Sequence, residues 1–253
     1  MIEPTLWDHL LAAVLLIAFP LHARWSWARF RRAVATGGPG ARRREYVRGM
    51  ARQWTVTGIV LLGWFLAGRS PASLGLHLAL DAGSLAGLAI TGLGLAFLAG
   101  QWRAVRRLER SELVEYAGET LGVAELLPRT DEEARAFAAL SLTAGICEEI
   151  LYRGFLIAWV GVWTGPWTSA LLAGLAFGVA HAYQGRSGVI KTGVIGILAG
   201  FLYVGTASLL WPMILHAAID VHGGAVGRRI LDAVAARHAE RSHSDSEEGA
   251  DPS

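Results

Sequence analysis

A chain of 253 residues with 53% hydrophobic residues, only 17% charged ones and a mean hydropathy of +0.39 lies outside the composition of soluble domains, whose charged share is about a quarter. At about 20 residues per membrane span, the length admits about seven spans and leaves too little for a separate soluble domain. The net charge of +2 comes from 22 Arg and one Lys (Lys191) against 21 acidic residues, and the Arg cluster between apolar runs, which fits membrane topology and not a nucleic-acid surface. One cysteine, Cys147, excludes an internal disulfide and any multi-cysteine metal site.

The apolar runs predict an all-α polytopic transmembrane bundle of about seven spans, with the polar, site-forming residues among the last four. The first run covers about 6–21; its flank carries Glu3 and Asp8 and no positive charge, so it reads as a retained span and not a signal peptide. Residues 24–52 follow with nine Arg and a flexible TGGPGA stretch, then runs at about 54–67 and 83–102. Residues 1–110 thus form an N-terminal three-span region, and 111–136 a cytoplasmic connecting segment. Runs at about 137–160, 166–183, 189–205 and 209–226 make a core of four spans over 137–226, and the polar tail 237–253 reads as disordered.

Arg and Lys alternate through the connections. The loops after the first and third spans are basic, that after the second nearly neutral, and those after the fourth and sixth carry none. The positive-inside rule then puts the N-terminus outside and the C-terminus in the cytoplasm of an integral plasma-membrane protein, with lipids as its surroundings. The near-absence of Lys reads as GC-rich coding of a bacterial kind.

Charged side chains near a bilayer centre must be paired or functional. The fourth run holds Glu148, Glu149 and Arg153; Glu149 and Arg153 sit four apart, acid before base, and can meet on one helix face. Glu148, turned about 100° away, needs a partner from elsewhere. The fifth run places Phe177 and His181 four apart, and the seventh His216 and Asp220, where the acid can orient the imidazole. His222 reads as a capping or interfacial residue near the helix end before Gly223-Gly224. One set of carboxylates and imidazoles in a polar cavity can polarise water, directly or through a metal. Intramembrane Glu, His and Asp also make proton relays, so an ion- or proton-coupled transporter is one alternative, and a non-catalytic immunity or scaffold protein another.

Glu148, Glu149 and Arg153 fit EExxxR, Phe177 and His181 fit FxxxH, and His216 with Asp220 fits HxxxN/D. In this order, on successive apolar segments, they resemble the CPBP intramembrane proteases, a family that includes type 2 CAAX prenyl proteases and Abi bacteriocin-immunity proteins. The resemblance implies an intramembrane endopeptidase acting on a peptide or membrane-protein substrate. Carried over by position, Glu148 and His181 would activate water, His216 and Asp220 would stabilise the oxyanion or help hold a metal, and Glu149, Arg153 and Phe177 would support them. Asp220 stands where several family members carry Asn, and an ionised Asp cannot donate to an oxyanion, which shifts it towards orienting His216. Glu148, His181 and His216 could also supply three zinc ligands, although the HExxH arrangement of soluble zinc proteases is absent.

The orientation is testable by labelling. Cysteine in place of Ser73 should react with an impermeant reagent added to intact cells, and cysteine in place of Ser244 should not; label reaching residue 244 from outside would reverse the topology.

Overall fold

The computed structural model describes residues 2–77, 81–118 and 122–248, with side chains as far as Arg241. Among them there is no strand, as an all-α chain requires. The first rod is helical from Leu6 to Thr36: α1 (Leu6–Ala13), a π turn (Val14–Ala18) and α2 (Phe19–Thr36). The π turn has a local cause. Pro20 has no N–H and would clash one turn back in a regular helix, and the wider turn lets the Phe19 N–H bond to the Val14 carbonyl instead.

Next come α3 (Ala41–Leu66), a 3₁₀ turn (Pro71–Leu74), α4 (Ala82–Arg107) and α5 (Arg110–Glu115). The basic stretch at 24–52, expected as a connection, is mostly helix. Only Gly37–Gly40 interrupt it, and Gly38 and Gly40 adopt φ of +63° and +73°, the left-handed geometry that glycine takes without strain. Ala and Arg are good helix formers, so the Arg-rich flanks extend both helices beyond their apolar runs.

The second half begins with α6 (Asp131–Glu149), which passes through a π turn (Ile150–Leu156) into α7 (Ile157–Thr164). Thr130 caps it, its side chain accepting from the Glu133 N–H, with Asp131, Glu132 and Glu133 in the first turn. After Gly165 come α8 (Pro166–Ala180), a 3₁₀ turn (Ala182–Gln184), α9 (Gly185–Thr206) and α10 (Leu210–Glu248). Two expectations change here. α8 ends one residue before His181, so that histidine closes a helix instead of lying inside one. α10 runs on past Gly223-Gly224, so His222 is mid-helix and caps nothing. The same helix carries 237–248, read from sequence as disordered; residues 249–253 lie outside the described residues. Ala, Arg and Glu in this stretch propagate a helix already nucleated by its packed half, and Arg110 pairs with Glu240 at 3.3 Å.

Three helical rods, Leu6–Thr36, Ala82–Arg107 and Ala182–Thr206, are long and apolar enough to cross a membrane, and Pro166–Ala180 is a shorter apolar helix. Large apolar side chains such as Leu62, Leu93, Phe97 and Leu198 face outward. With no water to hide from, such residues belong in lipid, and the chain is an integral membrane protein.

α6 is the axis of the bundle, flanked by α3 on one side and α10 on the other, while α8 and α9 pack as a hairpin against its π turn. Small residues let the backbones meet. A Cβ on Gly174 would stand 2.6 Å from the Ile197 nitrogen, and one on Gly178 would stand 2.7 Å from the Val189 carbonyl oxygen. Between α6 and α10, a Cβ on Gly145 would come within 2.9 Å of the Ala217 nitrogen. The buried core joins Leu11 and Leu15 of the first rod to Val60 and Trp64 of α3 and to Phe155 and Leu156 of the π turn. At one end Arg69 clasps Asp8 at 2.7 Å while its guanidinium lies 4.7 Å from the Trp64 ring. At the other, Arg42 donates to Glu133 at 2.9 Å and to the Glu125 carbonyl at 2.9 Å, and Tyr46 donates to the Leu126 carbonyl, docking 122–133 on α3.

Gly145→Ala should therefore force α10 away from α6. Overpacking of this kind costs about 1–3 kcal/mol, read as a lower melting temperature in detergent. A parent-like melting curve would show that the helices do not approach as closely as described.

Candidate functional site

Five segments converge where α6 enters its π turn. The extra residue of a π turn reorients the side chains after it, and such turns gather at functional sites; here it spans Ile150–Leu156 and contains Arg153. Glu149 and Arg153 are 0% and 1% exposed at the side chain and pair at 2.9 Å, as their spacing predicts.

The pair reaches further than expected. Arg153 also donates to the Gly196 carbonyl of α9 at 3.2 Å, and its guanidinium carbon stands 4.4 Å from the Phe177 ring of α8. The oxygen that accepts from Arg153, Oε1 of Glu149, also accepts from Nδ1 of His216 at 2.7 Å. A carboxylate held beside a guanidinium has no proton to give, so Nδ1 of His216 is the donor. One buried ion pair thereby ties α6, its π turn, α8, α9 and α10 together.

His181 is anchored by the same logic. Its Nδ1 lies 2.8 Å from the Phe177 carbonyl, which can only accept, so the proton sits on Nδ1. Its ring packs on Phe177 with centroids 4.5 Å apart. With both Nδ1 atoms committed, both Nε2 atoms are free to face the site, and each lies 3.9 Å from the same atom, Oε2 of Glu148. That oxygen is buried and has no hydrogen-bond partner among the described residues.

Glu148, His181 and His216 are thus brought together. Asp220 comes near: its Oδ2 is 3.7 Å from His216 Nε2, beyond hydrogen-bond length, and its side chain is 39% exposed. Among the described residues no group of three or more His, Cys, Asp or Glu side chains is placed to hold a metal ion. The zinc arrangement drawn from Glu148, His181 and His216 therefore has no geometry here to support it.

Sequence reasoning missed two features. Glu149 serves His216 as well as Arg153, a contact between helices that spacing cannot show. Gln53 of α3 donates from Nε2 to Oε1 of Glu148 at 2.8 Å; its only sequence signal was an amide at the edge of an apolar run, which resembles any interfacial residue.

Residues 131–222 match the family described as type II CAAX prenyl endopeptidase, Rce1-like, which is the kinship that the three motifs suggested. No curated protein and no solved structure matches the chain.

Arg153→Ala strands a buried carboxylate. Breaking a buried pair costs about 3–5 kcal/mol in soluble proteins, so the variant should melt well below the parent in detergent, whereas Glu148→Gln should melt close to it. The opposite ranking would exchange the structural and chemical roles of the two glutamates.

Proposed function

We propose that the chain is an intramembrane endopeptidase that hydrolyses peptide bonds with water activated by Glu148, His181 and His216. One observation carries this reading: two imidazole Nε2 atoms face the same buried, unpartnered carboxylate oxygen at 3.9 Å each. That separation is too long for a direct hydrogen bond and suits a bridging water about 2.8 Å from each group. The neutral imidazole of His181 and the ionised carboxylate of Glu148 each present a lone pair to this point and take the two hydrogens of a water, whose oxygen accepts from His216 protonated at Nε2.

Glu148 takes a proton from this water as its oxygen attacks the scissile carbonyl carbon, and returns the same proton to the leaving nitrogen as the C–N bond breaks. His181 orients the water through its second hydrogen. His216, its Nδ1–H already given to Glu149, enters the cycle protonated at Nε2 as well, and that second N–H donates first to the water oxygen and then to the developing oxyanion. Asp220, four residues on, lies close enough to stabilise that imidazolium. Glu149, Arg153 and Phe177 hold the histidines and do not touch substrate.

Within this reading the chain spans the membrane seven times, N-terminus outside, and the three N-terminal spans and the core 137–226 act as one body. The substrate is a peptide or membrane-protein segment that reaches the site from lipid or from the membrane surface.

Purified full-length protein in detergent should cleave members of a panel of fluorogenic peptides, prenylated and unprenylated. Glu148→Gln keeps size and most hydrogen bonds but removes the base, and should lose about 10²-fold or more of the activity. His181→Ala should behave alike, both with parent-like size-exclusion profiles. Near-parent cleavage by either folded variant would overturn the mechanism.

A further inference from the structure

We propose that Gln53 is a positioning residue for Glu148, so that the N-terminal helices complete a site whose other members all lie within residues 131–222. The inference rests on the peptidase reading for its kinetic consequence but not for the pairing itself. An ionised carboxylate only accepts, so the Gln53 amide must present its nitrogen, and it does so at 2.8 Å from Oε1 of Glu148. The amide oxygen of Gln53 is buried and has no partner among the described residues. No competing contact therefore sets the amide's orientation.

The effect on Glu148 is geometric. Its carboxylate can rotate about the last side-chain bond, which would exchange the two oxygens and swing either away from the histidines. A donor fixed to Oε1 stops that rotation and leaves Oε2 aimed at His181 and His216. A charge-assisted bond of this kind is among the stronger hydrogen bonds available to a side chain. The donor sits on rigid scaffold, because α3 packs along α6 and Thr57, one turn beyond Gln53, is fully buried.

The test uses full-length protein in detergent. Gln53→Leu removes the donor at similar volume. It should lower kcat by about 10- to 100-fold, since misplacing a reacting group by about 1 Å can cost 10²-fold, with KM within about two-fold of the parent. Thr57→Val is the matched control, buried on the same helix and outside the site, and should leave both constants near the parent values. An equal loss in Thr57→Val, or a KM change without a kcat change in Gln53→Leu, would overturn the positioning role.

A second readout is independent of turnover. In a double-mutant cycle of Gln53→Leu and Glu148→Leu, melting temperatures should be non-additive, the double variant melting no lower than the worse single one, because each single leaves a buried polar group unpaired. Additive shifts would overturn the pairing. A parent chain that cleaves nothing would sink the hydrolase reading alone, since the coupling is still read in the melting temperatures.

Discussion

Everything at the centre of this molecule hangs on one buried ion pair, Glu149 with Arg153. Neither side chain reaches solvent, and their separation is 2.9 Å. Two charges removed from water are tolerated only if their remaining hydrogen-bonding groups are also engaged. Arg153 goes towards meeting that demand by donating to the backbone of α9, and Glu149 by accepting from His216 on α10 at the same Oε1 that holds Arg153, while its Oε2 is buried with no partner among the described residues. Each added partner lies on a different helix, so the need to satisfy one charge pair becomes the force that fixes the relative positions of the helices. Single-residue packing such as Gly145 against Ala217 then allows α10 close enough for the contact to form.

The same constraint decides the chemistry available at the site. Because Glu149 and the Phe177 carbonyl can only accept, both histidines carry their protons on the ring nitrogen facing the scaffold. What remains facing one another is a pair of Nε2 atoms and one buried carboxylate oxygen, a set suited to moving protons on water. The two adjacent glutamates, identical in chemistry, are divided by rotation along the helix: Glu149 faces Arg153 and the Nδ1 side of His216, and Glu148 faces the Nε2 atoms of both histidines. On the proposed peptidase reading, this division, and not the number of acids, separates a reactive carboxylate from a structural one.

Much of this was legible in the residues. The apolar runs marked the helices, the four-residue spacing of Glu149 and Arg153 marked the pair, and the order of the three motifs marked the kinship with endopeptidases. Helix ends were less legible. Arg-rich flanks extend α2 and α3 because Arg and Ala favour helix regardless of where the apolar face stops, and the π turn at Pro20 arises from a backbone clash that hydropathy does not register. Contacts between distant segments were invisible. Nothing local in the sequence around Gln53 points to a glutamate 95 positions away, and nothing near Glu149 announces a second partner on the last helix. A single sequence reveals periodicity along one element; which faces meet is settled by packing among several.

The most direct measurement is an experimental structure of the full chain, at a resolution that shows ordered solvent, of the space between Oε2 of Glu148 and the Nε2 atoms of His181 and His216. One water is expected there, about 2.8 Å from all three atoms, with Glu149 still bridging Arg153 and His216. A dry gap, with Glu148 turned to another partner and the two imidazoles facing elsewhere, would contradict it.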